Sequence, residues 1–455
     1  MDRVDIYLEI VLGQPLLLLP IIVVIGIYAV VPKEKKLFLA LVVLVPWITI
    51  ARCQGLGEIA AAAKLSSGGA YLLIALASLA HPGQKRSTPI VLWIYPAMAF
   101  IWIFMIWSTE DATVGVVLRI QWLLVTLASI FLVKTIVVYE DFLRIINALT
   151  IGCFVALLIP LSALLMDPAG AFARGIGRFE PHGANPNQIG MLFALSAPLI
   201  GLAMMVWKRN SLRPMLIGLL SLSIGMALLT ASRMTALSII FAMFPIILVL
   251  TKRPMITVLG LIIVAAVLTT LMSMVESVSL DRLGSLESGR TEIWSVYAKE
   301  DFIRRPLFGL LGTSGESYFG SHAVGQHPHS AWFSMMYQGG LILLLPMMAM
   351  VAYSTVAGYG VWKNRYYLGG NPLVYSVMFM LLMAMYLQGF FNQVVYYPTY
   401  TWSFMHVVLA GLFISIRIDI QSGGTDTALP SMFDYVEEDL EEEEFQDFSQ
   451  LRDSL

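Results

Sequence analysis

The sequence predicts an all-α protein, a polytopic transmembrane helical bundle of 12 to 13 spans with one long polar loop, and three observations point there. Of the 455 residues, 58% are hydrophobic and only 13% are Asp, Glu, Lys or Arg, about half the charged share of a soluble domain. The apolar residues gather in runs close to the roughly 20 residues that an α-helix needs to cross hydrocarbon. Lysine and arginine also alternate between the loops that join those runs, as they do when every second loop faces the cytoplasm. With a mean hydropathy of +0.78, a water-soluble protein is excluded.

Thirteen runs qualify. The first, 15–31, follows Asp2, Arg3, Asp5 and Glu9 and lacks a small-residue cleavage site, so it reads as an uncleaved anchor. The run 36–51 follows Lys33, Lys35 and Lys36, and 59–80 is interrupted by Lys64 and Ser66-Ser67-Gly68-Gly69. A broken or re-entrant piece is one reading of 59–80, and it would reduce the count to twelve. Then come 89–107, 113–134, 145–166, 188–207, 214–231, 235–251 and 256–273; after a polar stretch the series closes with 330–356, 373–391 and 400–416. Arg119 and Lys64 are the basic residues well inside runs, and snorkelling toward a helix end accounts for both. Cys53 and Cys153 are the only cysteines, too few for a disulfide framework or a cysteine-based zinc site.

One set of alternate loops holds Lys33, Lys35 and Lys36; Lys85 and Arg86; Lys134 and Arg144; Lys208, Arg209 and Arg213; Lys252 and Arg253; Lys363 and Arg365; and Arg417. Excess positive charge marks this set as cytoplasmic. The opposite face then receives 108–112, 167–187, 232–234, 274–329 and 392–399. Only 274–329 is long enough for short interfacial helices, with Thr291 to Arg304 the best candidate. The chain divides into a membrane domain, 1–420, and a tail, 421–455, which holds eleven acidic residues and one basic one. Such a like-charge block is ordinarily disordered and places the C-terminus in the cytoplasm. Its interleaved Phe433, Tyr435, Phe445 and Phe448 leave open a docking segment for a cytoplasmic partner.

Cations on the outward face are few and almost all arginine: Arg174, Arg178, Arg233, Arg282, Arg290, Arg304 and Arg305, with Lys299 the one lysine. Arginine's planar fork pairs bidentately with phosphate, so this bias points to a phosphorylated anionic ligand. Anchoring of lipid headgroups is the alternative for any single arginine. Three polar stretches converge on this face: Arg178 to Asn187, with Asn185-Pro186-Asn187 at a helix start; Thr230-Ala231-Ser232-Arg233 between two spans; and the long loop. The loop carries Ser288-Gly289-Arg290 with Trp294 four residues on, Pro306-Leu307-Phe308-Gly309, and His327-Pro328-His329 before the next span. A helix-start role for Asn185 and Asn187 stands beside a binding one. For His329, capping of the following span stands beside chemistry.

In the order and placement of these motifs, over roughly 170–350, the chain resembles the O-antigen ligase and polymerase family of bacterial membrane glycosyltransferases. It departs from the family pattern at Ser330, Gln338 and Leu343. The resemblance implies transfer of a glycan from undecaprenyl diphosphate to an acceptor sugar on the periplasmic face of the inner membrane, in lipopolysaccharide or other cell-surface polysaccharide biosynthesis. The loop 274–329 is then periplasmic. Arg290 and His329 become the catalytic candidates, Arg174, Arg178 and Arg233 the diphosphate-binding ones, and Asn187, Trp294 and His327 supporting residues. Arginines would stabilise charge on the leaving diphosphate, and an imidazole can take the acceptor's proton near neutral pH. No cofactor is expected, and no metal, since no carboxylate lies at ligand spacing beside His327 and His329. A transporter or flippase of anionic or lipid-linked glycans is the rival from another class, but the internal repeat common in transporters is not seen.

Overall fold

The computed structural model describes residues 13, 19–106, 112–172, 177–251, 290–303, 305–309, 328–392, 395–398 and 400–421. Arg174, Arg282, Arg304, His327, the run 256–273, most of the loop 274–329 and the tail beyond 421 lie outside them, and Arg290 is described by its backbone alone. Among the described residues the protein is all-helical. The helices are α1 (Leu19–Val30), α2 (Lys33–Ile50), α3 (Glu58–Ala80), α4 (Ile94–Ile106), α5 (Ala112–Lys134), α6 (Tyr139–Met166) and α7 (Pro186–Val206). They continue with α8 (Arg213–Leu229), α9 (Arg233–Thr251), α10 (Arg290–Val296), α11 (Ala331–Lys363), α12 (Pro372–Gly389) and α13 (Thr401–Gln421).

Nine described helices are long and apolar enough to span a membrane: α3, α5, α6, α7, α8 with the turn before it, α9, α11, α12 and α13. The protein is therefore a multi-pass membrane protein. Helices suit this setting because each satisfies its own backbone N–H and C=O groups where no water is present. The run 89–107 folds as a shorter apolar helix, Ile90–Ile106, which includes a 3-10 turn. Helix α2 has Lys33, Glu34, Lys35 and Lys36 in its first turn, which leaves about 14 apolar residues behind them.

The run 59–80 is neither broken nor re-entrant; α3 is continuous from Glu58 to Ala80. Its serines fold back on their own helix, Ser66 Oγ donating to the Ala62 carbonyl (2.7 Å) and Ser67 Oγ to that of Lys64 (2.9 Å). Trp47 Nε1 of α2 donates to Ser66 Oγ (3.0 Å). The small residues pack α3 closely: a Cβ on Gly68 would lie 3.3 Å from Gln121 and Leu124 of α5. Arg119 does not snorkel either. It is fully buried, its guanidinium 4.3 Å from the centre of the Trp102 ring and 5.0 Å from that of Tyr396, with Nη1 donating to the Tyr396 carbonyl (3.3 Å). Seven residues into α5 it sits about 10 Å along the helix, where aromatic faces and a carbonyl hold the charge instead of water.

Helix α7 is buried all round and packs against α6, α8 and α9. Around it α2 packs on α3 and α6, α3 and α4 on α5, α9 on α12, and α13 on α5 and α11. On α9, by contrast, Leu237, Ile240, Phe241, Phe244, Ile247 and Leu248 are exposed, a face whose partner is lipid. Successive long helices run antiparallel, which gives the bundle two ends. At one, Arg86 pairs with Asp419 (2.6 Å) and its backbone N–H reaches the Lys134 carbonyl. The other is the Arg178 end.

Candidate functional site at the Arg178 end

Helix α7 begins here, with Pro186 in its first turn and the Asn185 carboxamide accepting from the Asn187 N–H (3.0 Å). The helix-start reading of Asn185 is therefore observed. Asn187 is free to face outward, and it takes a hydrogen bond at Oδ1 from Arg178 Nη2 (2.9 Å). Arg178 Nε donates to the Thr230 carbonyl (2.7 Å), and the Phe179 N–H to that of Leu229 (3.0 Å). One guanidinium thus joins the first two motifs that the sequence singled out. Arg178 is only 7% exposed, so it is a strut as well as a charge. Arg233 opens α9 three residues after Thr230, and α9 comes so near α7 that a Cβ on Gly190 would overlap Thr235. Two helix N-termini, whose amides favour anions, therefore lie beside Arg178 and Arg233.

A second cluster forms around Trp294. The expected interfacial helix is present as α10, which continues as a π-helical turn, Tyr297–Phe302. Trp294 Nε1 donates to the Pro328 carbonyl (2.8 Å), and its ring stacks on Phe333 (centroids 5.2 Å apart, planes 15°) and lies 5.9 Å from Phe391. This contact fixes the residue before His329. His329 is exposed and has φ +51°. It does not cap α11: Ser330 does, its Oγ accepting from the Phe333 N–H (3.4 Å).

The Pro306–Gly309 turn has a further task. Helix α11 is broken at Gly340 (φ +57°, ψ −149°), which removes the helical acceptors of the next amides. The Pro306 carbonyl accepts from the Leu341 N–H (2.8 Å) and the Leu307 carbonyl from the Ile342 N–H (3.2 Å). Gly309 lies so close to the break that a Cβ there would be 2.6 Å from the Tyr337 carbonyl oxygen.

Sequence reasoning missed Arg52 and the aromatic segment 390–400. Arg52 lies in the turn between α2 and α3, and Nη1 donates to Gln188 Oε1 (3.2 Å). Its guanidinium lies 3.8 Å from the centre of the Tyr400 ring and 5.4 Å from that of Tyr397. Burial raises the Tyr400 phenol pKa above its ordinary value, against the pull of Arg52 in the other direction. The segment joins both clusters, with Phe391 on Trp294, Tyr396 on Arg119, and Tyr397 and Tyr400 on Arg52. The available signal was a lone arginine just past a run that starts with three lysines, on the arginine face.

Among the described residues, three non-glycine residues have positive φ: His182 (48°), Ala231 (48°) and His329 (51°). Each lies inside one of the three polar stretches. Side chains in that region cost about 1 kcal/mol or more and gather at functional sites. Among the described residues no group of three or more His, Cys, Asp or Glu side chains is placed to hold a metal ion. The arrangement offers guanidinium groups and helix N-termini for an anion, and an exposed imidazole on a strained backbone. No protein-family model, curated protein or solved structure matches the chain.

Proposed function

We propose that the protein is a membrane glycosyltransferase of the O-antigen ligase type, which transfers a glycan from undecaprenyl diphosphate to an acceptor sugar. In this reading the Arg178 end faces the periplasm, the lysine-bearing end and acidic tail face the cytoplasm of a bacterial inner membrane, and the chain crosses 12 or 13 times. The observation that carries the proposal is the coincidence of strain with motif: His182, Ala231 and His329 are the described non-glycine residues with positive φ, one in each of the three stretches on which the family resemblance rests. Backbone strain persists where surrounding contacts hold it, and here Arg178, the Thr230 turn and Trp294 do so.

The acceptor hydroxyl attacks the anomeric carbon of the donor sugar, the bond from that carbon to the diphosphate oxygen breaks, and undecaprenyl diphosphate leaves. The exposed His329 imidazole takes the hydroxyl proton. Arg290, at the start of α10, and Arg233, with Arg178 and Arg174, offset the charge that gathers on the leaving group. Asn187 holds Arg178 and Trp294 holds the backbone before His329, with His327 in support.

The test is reconstitution of the purified protein with a lipid-linked oligosaccharide and separate acceptors, read by product size. A single transfer to a distinct acceptor is expected of a ligase, and chain extension would make the protein a polymerase of the same family. Movement of the lipid-linked glycan across the bilayer without covalent transfer would replace the proposal with a transporter.

A further inference from the structure

Arg52 roofs an open cleft of about 340 Å³ between α2, α7 and α13, within the size range of small-molecule sites. Its mouth is polar, formed by Arg52, Gln188 and Tyr400, and its walls are apolar, formed by Ile48, Leu192, Leu195 and Trp402. Leu195 lies nine residues into α7, about 14 Å along the helix from Pro186, so the cleft leads from the bundle end toward the hydrocarbon. A cation above an apolar channel between spans is complementary to an anionic head on a hydrocarbon chain.

The head is identified by how the arginines are tethered. Arg178 bonds the side chain of Asn187 and Arg52 that of Gln188, so adjacent residues of one helical turn hold two guanidinium groups at the N-terminus of α7. A single phosphate engages one arginine fork, and two linked phosphates can engage both. We infer that the cleft seats the first part of the chain of a single-chain lipid diphosphate, with the head against Arg52 and reaching toward Arg178. The inference deepens the glycosyltransferase reading and rests on it for the identity of the lipid.

The experiment uses the full-length protein in phosphatidylcholine nanodiscs and a polyprenyl diphosphate bearing a diazirine in its first isoprene units. Illumination should give saturable crosslinks that map to Ile48, Leu192, Leu195 or Trp402. Excess unlabelled polyprenyl diphosphate should compete, and phosphatidylglycerol should not. Arg52→Gln should weaken binding about tenfold or more, the scale of a charge-assisted contact. Equal competition by phosphatidylglycerol would overturn the inference without any variant, as would unchanged affinity of a folded Arg52→Gln protein. Saturable binding with crosslinks only elsewhere would remove the cleft and leave the glycosyltransferase reading standing. Absence of any saturable binding would remove both.

Discussion

Replacing Gly340 with alanine should release the Pro306–Gly309 turn from α11. At φ +57° and ψ −149° the backbone is in a region essentially reserved for glycine. A Cβ there would lie 2.5 Å from the Pro306 oxygen and 2.6 Å from the Leu307 carbonyl carbon. Those carbonyls accept from Leu341 and Ile342, so relieving the clash breaks both hydrogen bonds. Strain of about 1–3 kcal/mol and two bonds of about 0.5–1.5 kcal/mol each give a loss of about 2–5 kcal/mol. Hydrogen exchange resolved to single amides measures this loss directly: at about 1.4 kcal/mol per decade, protection of Leu341 and Ile342 should fall at least about 30-fold. The amides of α7 should keep theirs. Unchanged protection at Leu341 and Ile342 in Gly340→Ala would refute the reasoning that the turn completes the broken helix.

Arg119→Lys should loosen the 395–398 segment, because an ammonium cannot stack on Trp102 and Tyr396 while reaching the Tyr396 carbonyl; faster exchange at Tyr396 and Tyr397 checks it, and unchanged exchange contradicts it. Burial pushes the Cys53 thiol up to about 12, so at pH 8 only about one molecule in ten thousand carries the reactive thiolate. Maleimide should therefore label Cys53 in denatured protein and leave it intact in native protein, whereas rapid native labelling would place it at the surface. For topology, single cysteines at Gly315 and Ser422, in a background lacking Cys53 and Cys153, should be labelled from outside at the first and not at the second; labelling of both from outside would reverse the tail.

Most of what was legible in the sequence was local. Apolar length alone placed α5 at 113–134, against Ala112–Lys134 observed. The Arg178 to Asn187 stretch spans nine residues, and its two end side chains bond each other. The start of α6 was read late, at 145, because Glu140, Asp141 and Arg144 interrupt the run; the Asp141 carboxylate accepts from the N–H groups of Val137 and Val138 and starts the helix there. What sequence reasoning missed depends on contacts between distant parts of the chain. Arg52 meets Gln188 across 136 positions and Arg119 meets Tyr396 across 277, and no periodicity records such pairs. The serines and glycines of α3 look like a break because their packing partners, Trp47 and Gln121, belong to other helices.

Glycan transfer by purified single-residue variants tests the central claim most directly. Each variant is assayed with the lipid-linked donor and the acceptor that the parent uses, and only variants that match the parent in detergent melting are compared. His329→Ala and Arg290→Lys should each lose most transfer, since the first removes the base and the second replaces a bidentate fork with a point charge. Lys363→Ala, at the opposite end of the bundle, should transfer like the parent. Normal transfer by both His329→Ala and Arg290→Lys would contradict the account.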